Sequence, residues 1–274
     1  MTDLTVSFVL FNTPPAEVHQ VVDQVREARL DVAIAIVDNS PEPVALEFGA
    51  DPRVTVVRPG SNLGYGRGHN LALSRLPDDA RYHLILNTDL LFRGAVLDEL
   101  VAFMDGHPDV GLSMPRIVFP DGTIQPLCRR LPDPLDMAAR TVLRRTHWAR
   151  RRDARYGGEG WSYAEAAEFP FLSGCFMLCR RSVLDRVGGF DPRFFLYFED
   201  TDLSRRMNAL SKTVFVPVGP VVHEYRSRGT RNWRTARHKL VNAVRYFNKW
   251  GWLVDRARTR ANAGAMRPFT DRRR

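Results

Sequence analysis

The sequence predicts an α/β fold: one mostly parallel sheet covered by helices on both faces. Three observations carry this expectation. Near-continuous β-branched and aliphatic runs of strand length recur from residue 5 onward, stretches with helical spacing separate them, and several of the runs end in Asn or Asp.

The run 5–11, TVSFVLF, is apolar throughout and reads as a buried strand. Residues 15–28, PAEVHQVVDQVREA, follow with helical period and a proline at the start, where its missing N–H costs nothing. A second buried strand, VAIAIVDN (32–39), ends in polar residues, and VTVVRP (54–59) is a third. GRGHNLALSRL (66–76) is helical, YHLILNTD (82–89) is a fourth strand with a polar end, and AVLDELVAFMDGHP (95–108) is another helix. The pattern then changes. PRIVFPDGTIQP (115–126) places two short strands around a Pro-Asp-Gly turn, a hairpin signal. Residues 129–160 have no clean period and are expected to hold a helix and a loop. SGCFMLCRRSVLDRVGGFD (173–191) reads as strand, helix and a glycine C-cap at Gly188–Gly189. TVFVPVGPVVHEY (213–225) is extended, and 234–261 is helical. No linker divides the chain, so one domain is expected over 1–262, with halves of about 1–115 and 116–262, a small antiparallel part in the second half, and a disordered basic tail over 263–274.

A hydrophobic share of 44% and a charged share of 26% describe an ordinary soluble globular protein. Three cysteines, Cys128, Cys175 and Cys179, form neither a disulfide framework nor a paired zinc pattern, which suits a reducing cytosol. The start, MTDLTVSFVLFNTPP, has no basic leader, and no stretch approaches the ~20 apolar residues that span a bilayer. The expectation is therefore a cytoplasmic protein that is neither exported by a visible signal nor integral to the membrane. The formal charge of +9 concentrates in 140–156 and 255–274, runs that attract nucleic acid, anionic lipid or phosphorylated substrates without choosing among them.

In parallel sheets the ligand crevice lies beyond the carboxyl ends of the strands. Asn12, Asp38, Asn39, Asn87 and Asp89 fall there, and although each alone could be a turn former, their recurrence favours a site. Four stretches could carry chemistry. In PGSNLGYGRGHNLAL (59–73) a strand end, glycines and a helix start could present backbone N–H groups to a phosphate. The dinucleotide fingerprint fails there, because His69 takes the third glycine position and the motif follows the third strand. LILNTDLLF (84–92) delivers Asn87, Thr88 and Asp89 to the crevice, where a carboxylate can hold a hard divalent cation; the alternative is an Asn/Asp turn that simply ends the strand. In PVVHEY (220–225), His223 is either structural or a metal ligand, depending on whether Asp89 is near it. In FFLYFEDTDLSRRM (194–207), Glu199 or Asp200 could cap a helix through 201–209 with Asp202 in its first turn. A carboxylate beside Phe195, Tyr197 and Phe198 could equally be a desolvated base, and the two readings are compatible.

Taken in order, VSFVLFN, AIVDNS, NLGYGRGHNLAL, LILNTD, PRIVFPDGTIQ, FLSGCFMLCRRSVLDRVGGFDPRFFLYFEDTDLSRRM and VVHEYRSRGTRN resemble glycosyltransferase family 2, in particular its rhamnosyltransferase-like branch with the GT-A fold. The resemblance spans roughly residues 5–250. It implies an inverting, metal-dependent transferase acting on a nucleoside-diphosphate sugar, with dTDP-rhamnose as the leading donor and a UDP-hexose or UDP-N-acetylhexosamine as the alternative. It makes the first half donor-binding and the second half acceptor-binding and catalytic. Asp38 would contact the base of the nucleotide; Asn12, Asn62, Gly64, Gly66, Asn70, Asn87 and Thr88 would line the donor pocket. Asn87-Thr88-Asp89 stands in the place of the family's DxD motif, Asn87 departing from the usual aspartate. Asp89 and His223 would hold Mg²⁺ or Mn²⁺, and Asp200 would be the general base, with Glu199 and Asp202 as secondary candidates. Arg226, Arg228 and Arg231 could close over the diphosphate. The implied acceptor is a glycan or polyprenyl-diphosphate-linked saccharide in cell-surface polysaccharide synthesis. The arginine–tryptophan mixtures at 140–152 and 246–260 would then touch an anionic membrane, or else be a solvated basic face. A nucleic-acid-binding protein is the reading from another class, but no helix-turn-helix, zinc or RNP signature supports it. A catalytically idle sugar-nucleotide-binding homologue is a third.

Overall fold

The structure, a computed structural model, describes residues 2–141, 145–158, 161–224 and 233–269. The elements run β1 (Leu4–Leu10), α1 (Pro15–Arg26), β2 (Val32–Asp38), β3 (Val54–Val57), α2 (Tyr65–Leu73), β4 (Tyr82–Leu86), β5 (Leu90–Leu91), α3 (Ala95–Gly106), β6 (Val110–Met114), β7 (Ile117–Val118), β8 (Cys128–Arg129), α4 (Pro134–Thr141) and α5 (His147–Tyr156). They continue with β9 (Ala167–Glu168), β10 (Phe171–Leu172), β11 (Phe176–Arg180), α6 (Arg181–Val187), α7 (Glu199–Asn208), β12 (Lys212–Phe215), β13 (Val221–His223), α8 (Trp233–Trp250), α9 (Arg256–Gly264) and β14 (Arg267–Pro268).

The main sheet has the order β14-β9-β12-β6-β11-β4-β1-β2-β3. β1, β2, β3 and β4 are mutually parallel, and only β11 and β9 oppose the common direction. The chain winds outward from β1 to β3 and then returns to place β4 on the other side of β1. The carboxyl ends of β1, β2 and β4 therefore flank the point where the strand order reverses, the usual seat of a ligand in such sheets.

The two faces of the sheet differ. Leu4, Val6, Phe8 and Leu10 of β1 and Ile34 and Ile36 of β2 enter the main core with Val18, Val21, Val22 and Val25 of α1 and Leu97, Leu100 and Met104 of α3. The intervening residues face α2, where Ala35 and Val37 meet Ala72. The β1 run therefore looks apolar in sequence but alternates, because Thr5 and Ser7 lie on the α2 face and are fully buried. They are satisfied by two histidines. The Thr5 hydroxyl donates to the Tyr82 carbonyl (3.1 Å), so it accepts from Nδ1–H of His83 (2.9 Å). His83 Nε2 then accepts from Ser7 Oγ (2.9 Å), and Ser7 Oγ accepts from Nδ1–H of His69 (2.7 Å). Each hydroxyl has one hydrogen, so the chain of bonds requires His83 to be neutral, with Nδ1 protonated and Nε2 accepting. Burial agrees, holding His83 down to about 3 and His69 well below the usual histidine range.

Several expectations change. β6, a central strand, was not anticipated between the helix at 95–108 and the hairpin. The hairpin itself reduces to a Val118–Ile124 bridge around the turn, with the Asp121 carboxylate accepting from Thr123. The single helix expected over 234–261 is two helices, because Gly251 adopts φ 101° and Asp255 caps α9 through Arg258 N–H. The tail expected to be free from 263 is ordered as far as 269, where β14 pairs with β9; 270–274 lie outside the described residues. Cys128, Cys175 and Cys179 are buried free thiols.

Candidate active site

A small second sheet, β5-β13-β7, builds one wall of the crevice. β13 pairs with β5 in the register His223↔Leu90, which sets His223 beside the residue that precedes β5, Asp89. His223 Nε2 lies 3.4 Å from Asp89 Oδ1, and the Glu224 N–H donates to the Asp89 carbonyl at 3.0 Å. On the far side of the ring, His223 Nδ1 donates to Oε1 of the buried Gln125 at 2.8 Å. This bond fixes the tautomer: in the neutral ring it turns the Nε2 lone pair toward the Asp89 carboxylate. A lone pair facing a carboxylate calls for a proton or a cation between them, and the donor set of one imidazole nitrogen and one carboxylate oxygen fits a divalent ion. Among the described residues no group of three or more His, Cys, Asp or Glu could hold a metal, so a metal here would need further ligands from its substrate.

The opposite wall is the start of α7. Tyr197 and Phe198 both adopt left-handed backbone, at φ 71° and φ 69°, a strained turn for bulky residues that persists where surrounding packing fixes it. Phe194, Phe198, Tyr246 and Phe247 supply that packing, with Tyr197 and Trp250 against them. The aromatic lead-in is thus the clamp that delivers the acids. It also corrects the capping expectation. α7 begins at Glu199 itself, Phe198 holds the N-cap position with no side-chain bond, and all three acids occupy the first turn.

The three acids have separate fates. Asp202 is fully buried, accepting from Arg206 (2.7 Å), Trp250 (2.8 Å) and Lys249 (2.6 Å), and it ties α7 to α8. Glu199 is buried and its Oε2 has no hydrogen-bond partner, and burial followed by the Asp200 charge pushes its carboxyl well above the usual range. Asp200 is only half-buried. Its Oδ2 accepts from Gly174 N–H (3.1 Å) and its Oδ1 from Thr201 N–H (2.7 Å). Burial raises its carboxyl, against those N–H groups and the Arg129 charge, which pull it down. Burial raises both carboxyls, and of the two Asp200 has more to hold a charge in place, namely the N–H groups of Gly174 and Thr201 and the Arg129 charge.

Tyr65 joins the two walls. Its hydroxyl donates to the Gly174 carbonyl at 2.6 Å and lies 3.1 Å from Asn87 Oδ1. Asn87 N–H donates to the Cys175 carbonyl at 2.9 Å, so the tip of β4 is stitched to the strand start that also donates to Asp200. Burial raises the half-buried Tyr65 phenol first, and the neighbouring acidic groups Cys175, Glu199, Asp200 and Asp89 raise it further. Asp89 and Asp200 therefore both lie in the neighbourhood of Tyr65 and Cys175.

The glycine-rich turn is mostly scaffolding. Gly64 sits at φ 82°, and a Cβ there would lie 2.3 Å from the Phe195 carbonyl oxygen. Asn62 Oδ1 accepts from Gly64 N–H, and Tyr65 N–H donates to Phe195 O, so the turn docks on the segment leading to α7. Gly66 packs under Phe190 rather than against open space. Asn70 closes both its amide groups on the Phe190 backbone at 2.8 Å each, so its expected place in a donor pocket is corrected: it clamps a loop. Asp38 is buried, its two oxygens accepting from Ser40 N–H (3.0 Å) and Val44 N–H (2.7 Å), and Ser40 Oγ in turn accepts from Asn12 N–H (2.8 Å). Asn12 and Asp38 are thereby brought together at the tips of β1 and β2. Thr88 is half-buried between Asn87 and Asp89. Arg226, Arg228 and Arg231 lie outside the described residues. Gln125, Tyr65 and Gly174 were missed as candidates. Tyr65 stood inside a quoted motif and Gln125 at the end of the hairpin, but nothing in local sequence says what they reach.

A family model described as "Glycosyl transferase family 2" matches residues 5–188. The N-acetylglucosaminyl-diphospho-decaprenol L-rhamnosyltransferase of Mycobacterium tuberculosis is 30% identical over 204 residues, covering 68% of this chain and 62% of that protein. The chain thus spans about three fifths of the length of this relative. The O-antigen biosynthesis protein RfbC of Myxococcus xanthus is 27% identical over 210 residues, 70% of this chain and 14% of the relative. Among solved structures, GalNAc-T7 with UDP, GalNAc and Mn²⁺ superposes with a TM-score of 0.61 at 18% identity, covering 91% of this chain and 48% of that one. The mannosyltransferase PcManGT from Pyrobaculum calidifontis, in complex with GDP-Man and Mn²⁺, gives 0.54 at 18% identity, with 89% and 66% covered. Both share this α/β fold.

Proposed function

The chain belongs to glycosyltransferase family 2, and on that premise we propose that it transfers a sugar from a nucleoside-diphosphate donor to a hydroxyl of a polyprenyl-diphosphate-linked saccharide, with inversion at the anomeric carbon. The leading donor is dTDP-rhamnose, supported by the rhamnosyltransferase relative; a UDP-hexose or UDP-N-acetylhexosamine is the alternative. The observation that carries the reading is the placement of the Asp89–His223 pair and Asp200 together in the neighbourhood of Tyr65.

Asp200 accepts the proton of the acceptor hydroxyl as its oxygen attacks the anomeric carbon. The bond to the diphosphate breaks on the opposite face, which inverts configuration in one displacement. Gly174 N–H and Thr201 N–H hold the carboxylate in place, and Glu199, keeping its proton, avoids a second charge beside it. Asp89 and His223 would hold a divalent cation, with Gln125 orienting the imidazole; when bound, that cation supplies charge compensation for the departing diphosphate. Asp38 and Asn12, joined through Ser40, would receive the nucleoside at the tips of β1 and β2. Action in cell-surface polysaccharide synthesis, at the cytoplasmic face of a membrane, is part of the same proposal.

A thermal-shift panel of dTDP-, UDP- and GDP-sugars, each with and without Mg²⁺ or Mn²⁺, tests the donor, because a ligand selective for the folded state raises the midpoint by mass action. Stabilisation by dTDP-rhamnose with metal supports the first reading and stabilisation by a UDP-sugar the second. Stabilisation by oligonucleotides alone rejects both.

A further inference from the structure

α8 is apolar on two sides. Ala243, Tyr246 and Phe247 point inward to the aromatic cluster, whereas Leu240, Val241 and Val244 point outward, with Leu240 67% exposed. The outward stripe continues past the helix end. Asn248, one turn after Val244, accepts from the indole N–H of Trp252 at 2.8 Å, and Trp252 packs on Phe247. Leu253 and Val254 follow, each 82% exposed. Six large apolar residues thus form one ridge that the protein's own core does not cover.

The surroundings are basic. Between 233 and 269 the only acid is Asp255, which is buried and paired with Arg205 at 2.7 Å. Arg237 and Arg256 are exposed beside the ridge, while Arg245, also exposed, donates to the Arg193 carbonyl and to Asn242 Oδ1. We propose that this ridge, Leu240, Val241, Val244, Trp252, Leu253 and Val254, is a docking surface for an anionic lipid bilayer, the apolar side chains entering the interface while the arginines meet headgroup phosphates. Among the described residues no helix is long and apolar enough to cross a membrane, so contact of this kind is in the plane of the surface. A second copy of the chain fits less well, because a two-fold contact through the ridge sets the arginines against their own images, whereas phosphates neutralise them.

The ridge bears on the cleft directly. On the inner side of the same helix, Asn242 donates to the Leu196 carbonyl at 2.8 Å and His238 stacks on Phe195 at 4.8 Å. Those residues lead into Glu199 and Asp200. One helix, about 10 Å across, therefore separates the lipid-facing ridge from the segment that carries the acids. The inference deepens the proposed function and rests on it for its purpose, since a polyprenyl-linked acceptor resides in a bilayer.

Flotation of the full chain with vesicles tests it without donor or acceptor, so its result does not depend on transferase activity, which is measured separately with a water-soluble acceptor analogue. At low salt the protein is expected to float with phosphatidylcholine vesicles containing phosphatidylglycerol and not with phosphatidylcholine alone. The double variant Leu253→Glu/Val254→Glu, with unchanged thermal midpoint, is expected to lose binding roughly tenfold or more. Leu240→Glu gives an independent arm. Absence of wild-type flotation, or undiminished binding by these variants, overturns the proposal. So does self-association in sedimentation equilibrium that the same variants abolish, which would make the ridge a seat for a second copy.

Discussion

His223 Nε2 faces Asp89 Oδ1 at 3.4 Å, and Gln125 on the other side of the imidazole determines what that contact can do. By accepting the Nδ1 proton it turns the second nitrogen toward the carboxylate. Under the proposed function, one imidazole and one carboxylate would supply part of a divalent ion's coordination shell, and the diphosphate would supply more.

Gln125→Leu is therefore expected to weaken Mn²⁺ binding, measured in the presence of nucleoside diphosphate by calorimetry, by about 10- to 100-fold, with the fold intact. Asp89→Asn should weaken it more. Unchanged affinity in Gln125→Leu would remove the orienting role.

Asp200→Asn is expected to fold and bind donor, yet to lose about 10²- to 10⁴-fold in turnover. Glu199→Gln should keep transfer within about tenfold, because the side chain it replaces already carries its proton. Equal losses in the two variants would put the charge on the wrong acid.

Asp202 offers a contrast two residues further along α7. Asp202→Ala removes a buried carboxylate from Arg206, Lys249 and Trp250, although Lys249 keeps Asp191 and Arg206 keeps the Val187 and Gly189 carbonyls, and is expected to cost about 2 kcal/mol or more in urea unfolding. Turnover per folded molecule should stay near the wild-type value. A catalytic loss with full stability would make Asp202 a site residue.

Gly64→Ala combines a left-handed φ of 82° with a Cβ placed 2.3 Å from the Phe195 carbonyl. The expected loss is about 2 kcal/mol or more, read as a lower thermal midpoint, together with a poorer fit of Tyr65 against Gly174.

The buried histidines make stability depend on pH. His83 has a folded-state value of about 3 against 6.5 unfolded, so the unfolded chain binds a proton that the native state refuses. Stability is complete above about 6.5 and falls as pH drops toward 3, on the order of 4 kcal/mol for this one group. Glu199 works in the opposite direction, since its raised carboxyl takes up a proton in the native state first. The difference between wild type and His83→Gln isolates the histidine: the variant should show a shallower decline between pH 6.5 and 4.5 in denaturant midpoints. Parallel pH profiles would show that the ring is not held neutral.

The α/β class, the four leading strands and the glycine C-cap at Gly188 were legible in the residues alone, which also marked Asp89, Asp200 and His223 as candidates, because periodicity, turn chemistry and ordered motifs are local properties. Only the tertiary structure separated Asp200 from Asp202. Both are aspartates in one helical turn, but one meets the backbone N–H of Gly174 and the other meets, besides Arg206 one turn along its own helix, Lys249 and Trp250, which chain folding brings from α8. It likewise reassigned Asn70 from pocket to clamp and brought in Gln125 and Tyr65, whose hydrogen bonds reach 98 and 109 residues along the chain. Such contacts depend on strand order and register, and these are set by how whole elements pack, not by any short stretch of residues.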